Sequence, residues 1–141
     1  MKTYYVLKFL EEEDSLADIT GLCNRFADIL GGKILRREYD SCQIGIDRDD
    51  IHPTLLGVPI SPGHMFMIKL VAGEKALVHG EMVLLENEVP GVVHSLLEHD
   101  IIVSSEHTHW LFDRPRLMYI HLQAIMNPLE FAQKVADLLN E

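Results

Sequence analysis

Apolar residues along the chain follow two periods, and the period in force changes every ten to fifteen residues. Between residues 3 and 10, Tyr5, Leu7 and Phe9 share one parity, the alternation of a half-buried strand. The run EEED follows, placing negative charge where a helix dipole favours it. From Leu16 to Leu30 the spacing becomes helical through Ile19, Cys23, Phe26 and Ile29 or Leu30, and Gly31-Gly32 give a stop signal. KILRREY and CQIGIDR read as two strands about Asp40-Ser41. DDIHPTLLGVPISPGH, with three prolines and two glycines, reads as a long irregular loop suited to function. HMFMIKLV and ALVHGEMVLL bracket AGEK as a hairpin.

In NEVPGVVHSLLEHD a short helix turns Val93, Leu96 and Leu97 to the core, with Gly91 weakening its first turn. IIVSSEHTHWL and RLMYIHLQAI read as strands about residues 112 to 116. The last helix has Asn127 as N-cap, Pro128 at its first position and Glu130 at its third, with Phe131, Val135, Leu138 and Leu139 as its buried stripe. The order predicts an α+β fold, a largely antiparallel sheet with helices packed on it. Two β-α-β-β units, residues 1–48 and 76–141, match in outline, and a ferredoxin-like split arrangement is one form of such a fold.

Composition adds limits. Hydrophobic residues at 48% and charged residues at 24% suit a folded chain, and 141 residues suit one domain, 1–141. A net charge of −10 without clustered Lys or Arg argues against nucleic acid and against an anionic membrane surface. The N-terminus shows no cleavage site and reads as a strand rather than a signal peptide. No apolar run approaches the ~20 residues of a membrane span. With two cysteines and no CxxC, the expectation is a cytoplasmic protein with reduced, structural thiols, Cys23 packing in the core.

Candidate chemistry concentrates in SSEHTHWLFDRPRLMYIH, residues 104 to 121, which holds His107, His109 and His121 of the eight histidines. On a strand, His107 and His109 project from one face. Neutral imidazole nitrogen binds zinc at ~2.0–2.1 Å, so His-x-His is a sensible half-site. A two-residue turn at Arg114-Pro115 would pair His109 with Ile120 and send His121 to the other face. An odd loop or a bulge would bring it alongside. The apolar row Met118, Ile120, Leu122 against the polar row Tyr119, His121, Gln123 favours the second arrangement. Random placement of the histidines gives about 0.45 His-x-His pairs in such a chain, so the motif alone is weak, and a polar sheet face with hydrogen-bonded histidines is the plainer reading.

Glu86 and Glu88 stand between a strand end and a helix start, able to enter a cleft or simply to meet the helix dipole. Glu106 should face away from His107. His64, His79, His94 and His99 read as surface or turn histidines, and Arg114 and Arg116 as exposed turn residues able to meet an anion. Ser104 and Ser105 form no triad, and no GxGxxG, P-loop, GxSxG or HExxH is present.

The stretch VHGEMVLLENEVPGVVHSLLEHDIIVSSEHTHWLFDRPRLMYIHLQ resembles the LppY/LpqO-like domain, a bacterial family of unknown function. Gly80, Glu81, Glu88, Val89, His107, His109, Pro115, Arg116 and His121 carry the resemblance. It covers residues 77 to about 140; in the first half only DRDD at 47–50 matches. Thr108 replaces the family's Asn between the histidines, and the proline of EVPGV is shifted. The resemblance implies that His107, His109 and His121 belong together with Glu88, and it supplies no activity. Family members are often exported lipoproteins, but no lipobox is read in this chain, so that location is not carried over.

Two functions follow as expectations. In the first, His107, His109 and His121 hold a divalent metal ion, zinc foremost, Glu88 serves as general base or fourth ligand, and the protein is a metal-dependent hydrolase. In the second, it is a non-catalytic small-ligand-binding or sensor module whose sheet edges can pair in a homodimer.

Overall fold

A computed structural model describes residues 19–140; the strand expected over residues 3 to 10 lies outside the described residues. Helix α1 (19–30) buries Ile19, Cys23, Phe26, Ala27 and Leu30, as its periodicity predicts. Gly31 ends it with φ 68°, and the Gly32 N–H donates back to the Ala27 carbonyl at 2.9 Å, satisfying a terminal acceptor. Strands β1 (Lys33–Arg37), β2 (Ser41–Asp47), β3 (Thr54–Leu55), β4 (Val58–Pro59), β5 (Gly63–Ala72) and β6 (Lys75–Leu85) follow, then helix α2 (Val89–Glu98), β7 (Ile102–His107), β8 (Asp113–Arg114), β9 (Leu117–Met126) and helix α3 (Pro128–Leu139).

Six strands form one antiparallel sheet in the order β1-β2-β5-β6-β9-β7, so the expected α+β class is the one the chain adopts. All three helices contribute to a core on one face of it, with Phe66, Ile68, Val78, Met82, Leu84, Ile120 and Leu122 from the strands. Phe26 of α1 stacks on Phe131 of α3 with centroids 6.1 Å apart. Phe131 meets Phe66 of β5 edge-on at 5.6 Å, locking both helices to the sheet. The α3 start is as the sequence predicts: Asn127 accepts from the Leu129 and Glu130 N–H groups.

The Pro-rich stretch is not simply irregular. β3 and β4 form a tight hairpin through Leu56 (φ 52°) and Gly57 (φ 81°), and β8 pairs with β3 to make a second sheet, β4-β3-β8. Strands of two residues are too short to show alternation, and the partner lies far downstream, so no local pattern reveals them. This small sheet covers one end of the main sheet's second face, where Val83, Leu117 and Tyr119 pack with Ile51, Ile60 and Leu85.

Cys23 and Cys42 correct the expectation of reduced thiols: they form a disulfide, with Cα atoms 6.3 Å apart. The buried stripe of α1 lies over β2, which brings two cysteines with no motif spacing together. Among the described residues no helix is long and apolar enough to cross a membrane. The bond closes a loop of sequence separation 19, so reduction, or Cys42→Ala, should lower unfolding stability by about 3 kcal/mol. Denaturant melts with and without reductant measure this; identical midpoints, with free thiols absent before reduction, would contradict it.

Candidate functional site

The face of the main sheet away from the helices carries the polar row. His79, Glu81 and Val83 of β6 stand opposite Gln123, His121 and Tyr119 of β9. Residues opposite one another share a face, so Glu81 and His121 are neighbours by register alone.

A bulge brings the third element into place. At the start of β7, Ile102 lies opposite Gln123 and Val103 opposite Leu122. The register then shifts by one between Val103 and Ser105, giving Ser105 opposite His121, Glu106 opposite Ile120 and His107 opposite Tyr119. Were Ser104 paired in an unbroken ladder, His107 would fall opposite Met118 and point at the helices. The Ser104 hydroxyl, at 3.4 Å, donates to the His121 carbonyl beside the bulge. His109 lies past the end of β7, yet it stays on the same side of the sheet.

The three histidines therefore meet: the connection 108–118 between paired His107 and Tyr119 is odd in length, and His121 stands opposite Ser105 rather than opposite His107 or His109. His107 Nε2 and His121 Nε2 are 2.9 Å apart. His109 Nε2 is 2.8 Å from Glu81 Oε1, and His121 Nε2 is 3.3 Å from Glu81 Oε2. Tyr119 is the floor: His109 sits edge-on to it at 3.9 Å and His107 stacks over it at 6.2 Å. Burial pushes the Tyr119 phenol above its ordinary pKa, Glu81 and Asp113 add to the rise, and a hydrogen bond with Trp110 opposes it. The phenol thus stays neutral and holds the rings without adding charge. Among the described residues no group of three or more His, Cys, Asp or Glu has the geometry to hold a metal ion; the imidazoles contact one another and the carboxylate. A cavity of about 240 Å³ opens beside the cluster, sharing Glu81 and His121 with it and walled by Met65, Met67, His79, Ser104 and Gln123.

Glu88 is not brought to the histidines. Its carboxylate accepts from Arg48 Nη1 at 2.6 Å and Nη2 at 3.2 Å and from the Leu85 N–H at 2.7 Å. Arg48 also binds Asp50 and the Val83 carbonyl, its side chain only 8% exposed. Burial favours the neutral form of Glu88, but Arg48 and Leu85 outweigh it and hold the pKa below the ordinary value. Arg48 itself is raised, first through Asp50. This clasp and His64 line a separate cavity of about 420 Å³ with Met82, Leu84 and Leu138.

His64 is a correction: it is 4% exposed, not a surface residue. Its Nδ1 accepts from the Val83 N–H at 3.1 Å. Arg116 is likewise engaged, donating to the Trp110 carbonyl at 2.9 Å and pairing with buried Asp113 at 3.1 Å. Glu81, the carboxylate that does reach the imidazoles, was not among the expected site residues. Its signal was parity with His79 on β6, which becomes informative only with the β6–β9 register.

The chain belongs to the family described as Domain of Unknown Function (DUF1259), which matches residues 24–141. The match reaches well before residue 77, where the likeness seen in the sequence begins, and its description assigns no activity. No curated protein and no solved structure matches the chain.

The His64 pocket has a pH signature. Burial first, and Arg48 second, lower the His64 pKa from 6.5 to about 4. Between those values the unfolded chain takes up a proton that the folded chain refuses, so stability is full above about pH 6.5 and falls toward pH 4. The difference corresponds to about 3 kcal/mol. Unfolding titrations from pH 7 to 4 should show this slope, and His64→Gln should flatten it. An unchanged slope in the variant would remove His64 from the explanation.

Proposed function

We propose that this member of the DUF1259 family binds a divalent metal ion, zinc foremost, through His107, His109 and His121, with Glu81 rather than Glu88 as the fourth ligand. The approach of the His107 and His121 Nε2 atoms to 2.9 Å beside the Glu81 carboxylate carries this reading. Ligand atoms ~2.0–2.1 Å from one tetrahedral ion stand ~3.3–3.4 Å apart. The His121–Glu81 separation of 3.3 Å has that value, and the contacts of 2.9 and 2.8 Å are hydrogen bonds that would lengthen by about half an ångström on loading. Three imidazoles and a carboxylate are a donor set that zinc accepts. Loading the site exchanges ring-to-ring and ring-to-carboxylate contacts for bonds to the ion.

Such an ion would supply Lewis acidity and, with a water added to the four protein ligands as a fifth, would lower that water's pKa toward ~7, so hydrolysis of a small molecule is the reaction class we assign. The chain's own residues provide the rest. Tyr119 fixes the His107 and His109 planes, Glu81 fixes His121, and the adjoining cavity receives the substrate against Met65 and Met67. That same cavity favours a second reading, a small-ligand-binding or sensor module in which the histidines only hydrogen-bond the ligand. The Cys23–Cys42 disulfide supports an oxidising compartment over the cytoplasm as the place of work.

Protein purified without a His-tag should contain roughly one metal ion per chain by elemental analysis. Zinc at a hundredfold its Kd should add about 2.7 kcal/mol to stability. His107→Ala and His121→Ala should abolish the metal, Glu81→Gln should weaken it at least roughly tenfold, and Glu88→Gln should leave it in place. Absence of stoichiometric metal together with no zinc-induced rise in Tm would defeat the metal reading.

A further inference from the structure

One end of the molecule displays large apolar side chains to solvent. Leu56 is 75% exposed, Val58 63%, Leu111 70%, Phe112 66% and Trp110 42%. They form one patch, because β3 pairs with β8 through Thr54 with Arg114 and Leu55 with Asp113, which brings Leu56 beside Phe112 at the next step of the register. Both of those residues hold positive φ, 52° and 67°. Bulky side chains adopt this conformation only when the surroundings impose it.

The surroundings do impose it. Asp113 is buried, accepts from the Leu117 N–H at 2.8 Å and pairs with Arg116, and Arg116 holds the Trp110 carbonyl. Trp110 sits against His109 with ring centroids 5.9 Å apart, which holds one side of its ring and leaves the rest outside. The tip is therefore a built display rather than a frayed loop.

Its charge differs from that of the whole chain. Of 22 acidic residues, residues 51–60 and 108–116 contain only Asp113, which is 4% exposed. The charged group facing solvent there is Arg114. Protruding leucine, valine and phenylalanine, a half-exposed tryptophan, and an arginine at their base match the layers of a bilayer interface: acyl chains, carbonyl region and phosphates. The total of −10 argues against broad electrostatic adsorption, and this end meets that limit by showing no carboxylate.

We propose that the Leu56–Val58 and Trp110–Phe112 tip is a lipid-surface anchor that inserts into the interface of a bilayer, with Arg114 at the headgroup phosphates. The docking does not depend on a metal at the histidines.

Trp110 is the chain's one tryptophan, so it reports directly. With phosphatidylcholine vesicles its emission should shift to the blue, and the protein should float with the vesicles in a density gradient. Leu111→Ser with Phe112→Ser should reduce the bound fraction roughly tenfold, and Leu56→Ser should reduce it independently; both sites are exposed, so circular dichroism should be unchanged. His107→Ala should float like the wild type. No emission shift and no flotation would overturn the proposal. So would binding restricted to phosphatidylglycerol vesicles and lost in salt, which is adsorption by charge alone. A dimer in sedimentation that the double variant dissociates, without vesicle binding, would assign the patch to a contact between copies instead.

Discussion

The register of β7 on β9, with its one-residue shift at Ser104, decides which way a histidine points. Before the bulge at Ser104, the strand presents Ile102 to the open face and Val103 to the core; after it, Glu106 takes the core side and His107 the open side. Strand side chains alternate with period two, so a one-residue shift exchanges the faces of everything that follows. The cluster of His107, His109, His121 and Glu81 rests on the register that follows this shift. Bulges of this kind re-aim side chains beside functional sites, and this one sits on an edge strand, where an interrupted ladder costs least.

The same alternation separates stability from chemistry across the sheet. Met82, Leu84, Ile120 and Leu122 point to the helices and are fully or nearly fully buried. Their immediate neighbours Glu81, Tyr119 and His121 point the other way and build the site. β6 and β9 can serve both ends because each lies between two other strands, which fixes their backbones. Tyr119 connects the two roles: it is buried at 8% exposure in a small apolar cluster, yet its ring supports two imidazoles.

Two glutamates show how environment assigns duty. Glu88 has a guanidinium and a backbone N–H to neutralise and orient it, and so ties the β2 loop to the start of α2. Glu81 has no arginine against it; its oxygens face imidazole nitrogens. Glu81 lies within β6 and Glu88 just past its end, and no local composition distinguishes them. The β6–β9 register places one among the histidines, and the position of Arg48 withdraws the other.

Much of the fold was legible because it follows local rules. The α1 stripe and its Gly31 stop, the β5–β6 hairpin and the Asn127 cap of α3 each depend on spacing within a few residues. The three histidines were legible as candidates because two shared a strand pattern and the third stood in an alternating polar row. The Cys23–Cys42 bond, the β3–β8 pairing, buried His64 and Glu81 were not, since each depends on segments far apart in the chain. The sequence by itself determined the longer elements, their antiparallel arrangement and the residue types available for chemistry, because hydrophobic period and capping act locally. Only the tertiary structure decided which carboxylate meets the imidazoles and on which face His107 stands, because register between distant strands is set by how the whole sheet packs.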